Sequence, residues 1–165
     1  MQKEFSFTYE SLPSIDRLDE EQKLLLQKAR QNTANAYAPY SQFCVSAVAL
    51  LENGETVAAA NQENASYPAS LCAERVLLSA AASLYPNIAI KLISISYRNL
   101  NGKSETPISP CGICRQSLLE QEERQNAAIK IIMSGQDGEV LVIDSAKLLL
   151  PFGFSSEAME KVISK

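Results

Sequence analysis

The 165-residue sequence contains no histidine. The imidazole ligand used in so many metal sites is therefore missing, and any zinc here must be held mainly by sulfur. An excess of basic charge is lacking too: 15 Lys and Arg stand against 19 Asp and Glu, a formal net charge of −4. That balance argues against a sequence-independent nucleic-acid binder, which needs a cationic face for phosphates, but leaves a small nucleoside-sized ligand open. No apolar run approaches the length that spans a bilayer. Met1-Gln2-Lys3-Glu4-Phe5 is not a basic segment leading into an apolar core, so no signal peptide is expected. Internal repeats, low-complexity tracts and linkers are absent as well. A single domain over residues 1–165 is expected, long enough to bury a substantial core. Its 46% hydrophobic and 21% charged residues are those of an ordinary globular protein.

What is present is thiol chemistry in two short stretches. Ser66-Tyr67-Pro68-Ala69-Ser70-Leu71-Cys72-Ala73-Glu74-Arg75 offers one thiol and, two residues on, a carboxylate. Ser109-Pro110-Cys111-Gly112-Ile113-Cys114 offers two thiols spaced i, i+3. Three thiolates hold Zn²⁺ with its fourth position open to water, which is how a catalytic zinc site is built. Glu74 is then a candidate proton carrier rather than a ligand. Ser109 reads as an N-cap and Pro110 as the first helical residue, which puts Cys111 and Cys114 on one face. Cys72 sits near the start of the apolar-periodic run Val76, Leu77, Ala80, Ala81, Leu84, with Ser70 as its cap. Two helix N-termini then converge, and their dipoles favour thiolates over thiols. A reducing cytoplasm suits such thiols better than a pair of disulfides. Cys44 falls in a strand pattern and is expected as a small buried thiol. The bland alternative is a closed zinc knot with an unseen fourth ligand, in a structural module without activity.

Along the chain, Phe5, Phe7 and Tyr9 alternate with polar residues, so residues 1–16 form either an edge strand or an arm on a neighbouring subunit. Asp16 or Asp19 caps a helix running to about Tyr37. Phe43 to Leu51 reads as a buried central strand, Asn53-Gly54 as a hairpin turn, and Glu55 to Asn61 as the returning strand. The Cys72 helix ends before Pro86. Ile88 to Arg98 holds a third strand, and the polar stretch 99–108 is a surface loop. After the Cys111 helix come strands at Ile129–Ser134 and Glu139–Ile143. Asp144 caps a short helical turn through Leu150, and Ser155 or Ser156 opens a final helix. Helices alternating with strands predict an α/β sandwich around one mostly buried sheet.

Cys72-Ala73-Glu74-Arg75 followed by Pro110-Cys111-Gly112-Ile113-Cys114 resembles the zinc-dependent cytidine deaminases. Pro39-Tyr40-Ser41-Gln42-Phe43 and Asn61 to Pro68 extend the likeness, which covers roughly Ala29 to Phe154. The resemblance implies a three-layer α/β/α fold with a five-stranded mixed sheet. It also implies hydrolytic deamination of cytidine and deoxycytidine to the uracil nucleosides and ammonia, as in pyrimidine salvage, by a homotetramer. Zn²⁺ would rest on Cys72, Cys111 and Cys114, with Glu74 moving protons. Asn61 and Glu63, two apart at a strand end, point to one side and suit the hydroxyls of a ribose, and the family uses them so. Phe43 would pack on the pyrimidine. Ala65 and Tyr67 would line the pocket, partly across a subunit boundary, and Phe152 and Phe154 would reach a neighbour's site. Arg75 and Gln116 would sit against the thiolates and withdraw charge from sulfur. Acidity and a free-sugar motif disfavour an editing enzyme for RNA or DNA. Two departures stand out. Ser46 replaces the family's usual Gly, and 99–108 is longer than the corresponding connection in compact members. The long connection keeps open a deaminase of a modified cytosine or a nucleoside antibiotic.

Overall fold

The structure, a computed structural model, describes residues 1–156. Two aliphatic runs, Phe43–Leu51 and Ile90–Asn99, lie antiparallel at the centre of a sheet and set its register from Phe43↔Asn99 to Leu51↔Ile90. In chain order the elements are β1 (Glu10–Leu12), α1 (Glu20–Asn32), β2 (Phe43–Leu51), β3 (Thr56–Ala60), α2 (Ala73–Leu84), β4 (Ile90–Asn99), α3 (Gly112–Gln125), β5 (Lys130–Ser134) and β6 (Val140–Ile143). The strand order is β1-β6-β5-β4-β2-β3, with β4 and β5 parallel and the other neighbours antiparallel.

Leu25, Leu26 and Ala29 of α1 pack on Val48, Leu50, Leu92 and Ile132 on one face of the sheet. On the other face Leu77 and Ala81 of α2 and Leu118 of α3 cover Ala49, Ile93, Ile95, Ile131 and Met133. This is the α/β sandwich that the alternating elements predict, in the three-layer α/β/α form that the resemblance implies. Each of these buried Leu or Ile side chains contributes roughly 1.5–3 kcal/mol through removal from water.

The sheet has six strands where the resemblance implies five. The extra strand is β1, whose Glu10 to Leu12 pair with Val142 to Val140. A strand at a sheet edge presents unpaired N–H and C=O groups, and three residues of the N-terminal segment satisfy those of β6. Ahead of β1, Tyr9, Phe7 and Phe5 form an exposed ladder with ring centroids 6.4 Å apart at each step, and Phe5 lies 6.3 Å from Phe152.

Asp19 rather than Asp16 caps α1, its Oδ1 accepting from the Gln22 N–H at 2.8 Å, while Asp16 pairs with Lys23 at 2.8 Å. The helix stops at Asn32 instead of near Tyr37, with Thr33–Asn35 continuing as a 3-10 turn. Asn32 turns inward and donates to Ser46 Oγ at 2.8 Å and Ala59 O at 3.0 Å. That contact explains Ser46. Its buried hydroxyl also donates to Ala59 O at 3.1 Å, so the hydroxymethyl group completes a polar contact instead of crowding one.

Three other boundaries differ from expectation. Both zinc-motif helices start two residues late, with Cys72 and Cys111 themselves as N-caps and no cap hydrogen bond from either thiol. Ser70 Oγ accepts from the Asn64 N–H at 3.0 Å instead of capping α2. The turn after β6, Ala146–Leu149, is capped by Ser145, not by Asp144, which pairs with Lys130 at 3.1 Å. Buried Glu122 organises that turn by accepting from Ala146 N at 2.8 Å, Lys147 N at 3.1 Å and Ser145 Oγ at 2.9 Å. Cys44 is half-buried rather than fully enclosed. The helix expected after Ser155 or Ser156 falls on residues 157–165, outside the described residues.

Candidate metal centre and substrate cavity

The late helix starts have a chemical consequence. A cysteine at an N-cap is free to turn its sulfur sideways, and Cys72 and Cys111 turn towards each other. Their Sγ atoms are 3.7 Å apart, and Cys111 lies 3.4 Å from Cys114 in the first turn of α3. All three sulfurs fall within 4.8 Å of one another. Around a tetrahedral zinc with Zn–S bonds of about 2.3 Å, sulfurs stand about 3.8 Å apart, so this donor set fits that ion. No other such group of metal-ligating side chains converges among the described residues.

Electrostatics prepares the cluster for a cation. The thiol of Cys114, then that of Cys111, hydrogen-bonds the Cys72 sulfur, and with the charge of Arg75 they pull Cys72 down to about 6. Cys114 keeps its proton for the same reason, pushed up by that bond and by burial. Arg75 donates from Nη2 to Ser70 O at 3.0 Å, while its buried Nε has no hydrogen-bond partner among the described residues. An unsatisfied buried donor costs about 1–3 kcal/mol, and an anionic sulfur nearby reduces that penalty.

Glu74 sits in the first turn of α2 and is only 4% exposed. Burial pushes its carboxyl group up, and the charge on Cys72 adds to the effect. A carboxyl group held above its usual range takes and gives protons nearer neutral pH.

A cavity of about 290 Å³ joins Cys72, Glu74 and Cys111 to Asn61 and Glu63. Val45, Leu71 and Ile108 supply its apolar walls. A larger cleft of about 470 Å³ lies where α2 and α3 end, around Tyr85 and Arg124, but it holds none of the thiols. Asn61 is fixed where β3 leaves β2: its Oδ1 accepts from Val45 N at 2.7 Å and its Nδ2 donates to Phe43 O at 3.0 Å. One amide proton and one lone pair are left for a ligand. Glu63 Oε2 accepts from Tyr40 N at 2.8 Å and Ser41 N at 3.3 Å. The Ser41 hydroxyl, followed by these two N–H groups, holds the Glu63 carboxyl below the usual carboxylate range.

The aromatic residues singled out in the sequence stay outside the cavity. Phe43 stacks on Tyr97 with centroids 4.8 Å apart and planes 19° apart. Ala65 is exposed, and Tyr67, 70% exposed, lies edge-on to Tyr40 at 5.8 Å. Phe152 and Phe154 are 96% and 63% exposed. Gln116, expected beside the thiolates, gives its amide Nε2 to Phe154 O at 2.7 Å.

Two features escape the sequence reading. Ile108 lines the cavity, and its only signal is its place three residues before Cys111 in the same motif. Arg115 donates to Pro110 O at 2.8 Å and to Leu149 O at 3.0 Å, tying the segment before Cys111 to the turn after β6. Its adjacency to Cys114 is the only hint in the sequence.

The chain is similar to known proteins along most of its length. Residues 19–129 match the model of the cytidine and deoxycytidylate deaminase zinc-binding region. The cytidine deaminase of Halalkalibacterium halodurans is 32% identical over 139 residues, which cover 84% of this chain and 98% of that protein. The crystal structure of cytidine deaminase from Burkholderia pseudomallei superposes with a TM-score of 0.69 at 33% identity, over 79% of this chain and 97% of that one. The cytidine deaminase structure from Mycobacterium tuberculosis does so with a TM-score of 0.63 at 30% identity, over 83% and 99%.

Proposed function

The chain belongs to the cytidine deaminase family, and from that premise we propose how the residues of its cavity share the work. The protein is a zinc hydrolase that deaminates cytidine. Cys72, Cys111 and Cys114 hold the metal. Bound zinc supplies the Lewis acidity that makes water nucleophilic near neutral pH. Glu74 accepts the proton that water gives up and delivers it to N3 of the cytosine ring. A second proton passes through the same carboxylate to the departing amine. The balance is one water consumed and one ammonia released, with the uracil nucleoside as product. Arg75 draws charge from the Cys72 sulfur, which counters the weak Lewis acidity of a zinc bound to three anions.

Asn61 and Glu63 orient the sugar through its hydroxyls, and Glu63 stays ionised to do so. Deoxycytidine is a second substrate, since it keeps the hydroxyl distal to the base. Phe43 packs on the pyrimidine, and Ala65, Tyr67, Phe152 and Phe154 complete the enclosure only in an assembly, for which a homotetramer is the best candidate. Exposed aromatics of this kind anchor interfaces. Gln116 contributes indirectly, by holding the Phe154 segment on α3 beside the metal. No described helix is long and apolar enough to cross a membrane, and a reducing cytoplasm would keep the thiols available.

One observation carries this reading: of three sulfurs at zinc spacing, those of Cys72 and Cys111 line a cavity shared with a buried carboxyl group and a sugar-sized polar pair, and buried Cys114 lies behind them. Incubating purified protein with cytosine nucleosides, nucleotides and free cytosine, followed by ultraviolet absorbance, tests it. Cytidine and deoxycytidine should be consumed while free cytosine, which gives Asn61 and Glu63 nothing to hold, is spared. Inert cytidine would refute it.

A further inference from the structure

The connection between β4 and α3 is docked rather than loose. Ser104 O accepts from Gln136 N at 2.6 Å and Asp137 N at 3.4 Å, and Ser104 Oγ accepts from Asn99 N at 2.9 Å. This approach to the β5–β6 turn works only because two residues of that turn lack side chains. A Cβ on Gly135 would overlap Ser104 O. One on Gly138, which has φ +78°, would come within 2.6 Å of Glu105 O. The turn itself is anchored from within. Arg30 Nε and Ser96 Oγ donate to Gly135 O at 3.0 and 3.1 Å, and Gln136 Nε2 donates to Tyr97 O at 3.1 Å. Just beyond the docked segment, Ile108 and Ser109 form a wall of the cavity that holds Glu74 and Cys111.

We propose that this connection is a fixed specificity wall, in which Ile108 limits the substituent tolerated at C5 of the pyrimidine and Gly135 and Gly138 position it. The inference rests on the cytidine reading. In a bound cytosine, N3 faces Glu74, the amine-bearing C4 faces the metal, and N1 points to the sugar held by Asn61 and Glu63. Apart from the C2 carbonyl between N1 and N3, the ring leaves a C5–C6 edge that bears only C–H groups and is matched to the apolar wall of Val45, Leu71 and Ile108. Ile108 is the side chain that the docked connection contributes there. A rigid wall discriminates by excluded volume, and a small change in apolar bulk shifts preference by about 10- to 200-fold.

The test is the ratio of kcat/KM for 5-iodocytidine to that for cytidine, a quantity insensitive to the fraction of active protein. Ile108→Ala should raise the ratio about tenfold. Gly135→Ala, in which the added methyl forces the connection off the turn, should raise it in the same direction. Zinc per chain should stay unchanged, and amide hydrogen exchange at Gln136 should accelerate. The double variant should do no more than the larger single change, because both relax one wall. If Gly135→Ala does not fold, Ser104→Ala removes the hydroxyl that anchors Asn99 and should give a smaller shift of the same sign. An unchanged ratio in Ile108→Ala overturns the wall. Faster exchange at Gln136 with a wild-type ratio overturns the positioning role. Wild-type protein inert to both nucleosides overturns the deaminase reading, and the inference with it.

Discussion

The two ends of the cavity are built differently. At the metal end, Cys72, Cys111, Cys114 and Glu74 come from two helix N-termini of one chain and are already in place, with sulfurs 3.4 and 3.7 Å apart and the carboxyl group buried. Tyr67, Phe152 and Phe154, the aromatics proposed to enclose the base, stand largely in solvent, and none lines the cavity. Reactive groups can be positioned by local backbone geometry, because an N-cap and a first helical turn fix where a short side chain points. Enclosing a planar base needs apolar surface from several directions, which a half-open rim on one chain does not supply. On the proposed reading, the chemistry is a property of the chain and enclosure comes from an assembly.

The largest effect should come from breaking the metal end. Cys114→Ala removes a buried ligand and leaves two sulfurs on a site that needs three. Metal analysis should find zinc lost and the assay should find turnover below detection. Heating should show a lower midpoint, since bound zinc contributes directly to folding free energy. Full activity with two thiols would mean that the cluster is not the metal site.

A change at the rim should separate the two ends. Phe152→Ala or Phe154→Ala should keep one zinc per chain but shift light scattering towards smaller species and raise KM for cytidine about tenfold. The two-sided outcome matters here: an active wild-type monomer at assay concentration would put the whole site on one chain and remove the contrast.

The contrast also follows how far each feature could be read in the sequence. The thiols and Glu74 were legible because their spacing acts over one helical turn. The layer order was legible because apolar runs such as Phe43–Leu51 leave few alternatives. Features that depend on distant partners were not. An edge strand within residues 1–16 is one of two alternatives read from the alternation of Phe5, Phe7 and Tyr9. The strand that forms is instead Glu10–Leu12, which has no such pattern and pairs because β6 has a free edge. Ser46 stands out only as a departure from the family's usual Gly, and Asn32, fourteen residues away, supplies the hydrogen bond that explains it. The helix starts were misplaced because Ser70 and Ser109 are better caps by chemistry, whereas the structure gives those positions to the cysteines. Glu122 and Ile108 act through contacts that no local motif announces.

Smaller effects sharpen the account of the metal end. In metal-free protein Cys72 should be alkylated by iodoacetamide with a pH midpoint near 6, because the Cys114 hydrogen bond first, then Cys111 and Arg75, favour its thiolate. Arg75→Ala should move that midpoint upward. In the zinc enzyme, the same substitution should lower kcat/KM several-fold and shift the acidic limb of the pH–rate profile to higher pH. Coincident profiles, with zinc and assembly normal, would remove Arg75 from the tuning of the metal.

The smallest effect concerns stability. Glu74 has its carboxyl group raised by burial, so the folded metal-free protein prefers it protonated. For an acid raised in the folded state, the destabilisation is absent below the unfolded value of 4.5, grows through the interval up to the folded value, and is constant above it. Glu74→Gln should therefore melt at a higher temperature than wild type at neutral pH in the presence of a chelator, and the difference should vanish below about pH 4. An equal melting temperature at neutral pH would mean that burial does not penalise the carboxylate.

The central claim is that the metal end carries the chemistry, with Glu74 as its proton carrier, and it is tested most directly by zinc stoichiometry and cytidine turnover measured together on wild type and Glu74→Gln. Wild type should hold one zinc per chain and release ammonia from cytidine. The variant should hold the same zinc and lose about 10²- to 10⁴-fold in kcat. A Glu74→Gln protein with full zinc and undiminished turnover would contradict the account.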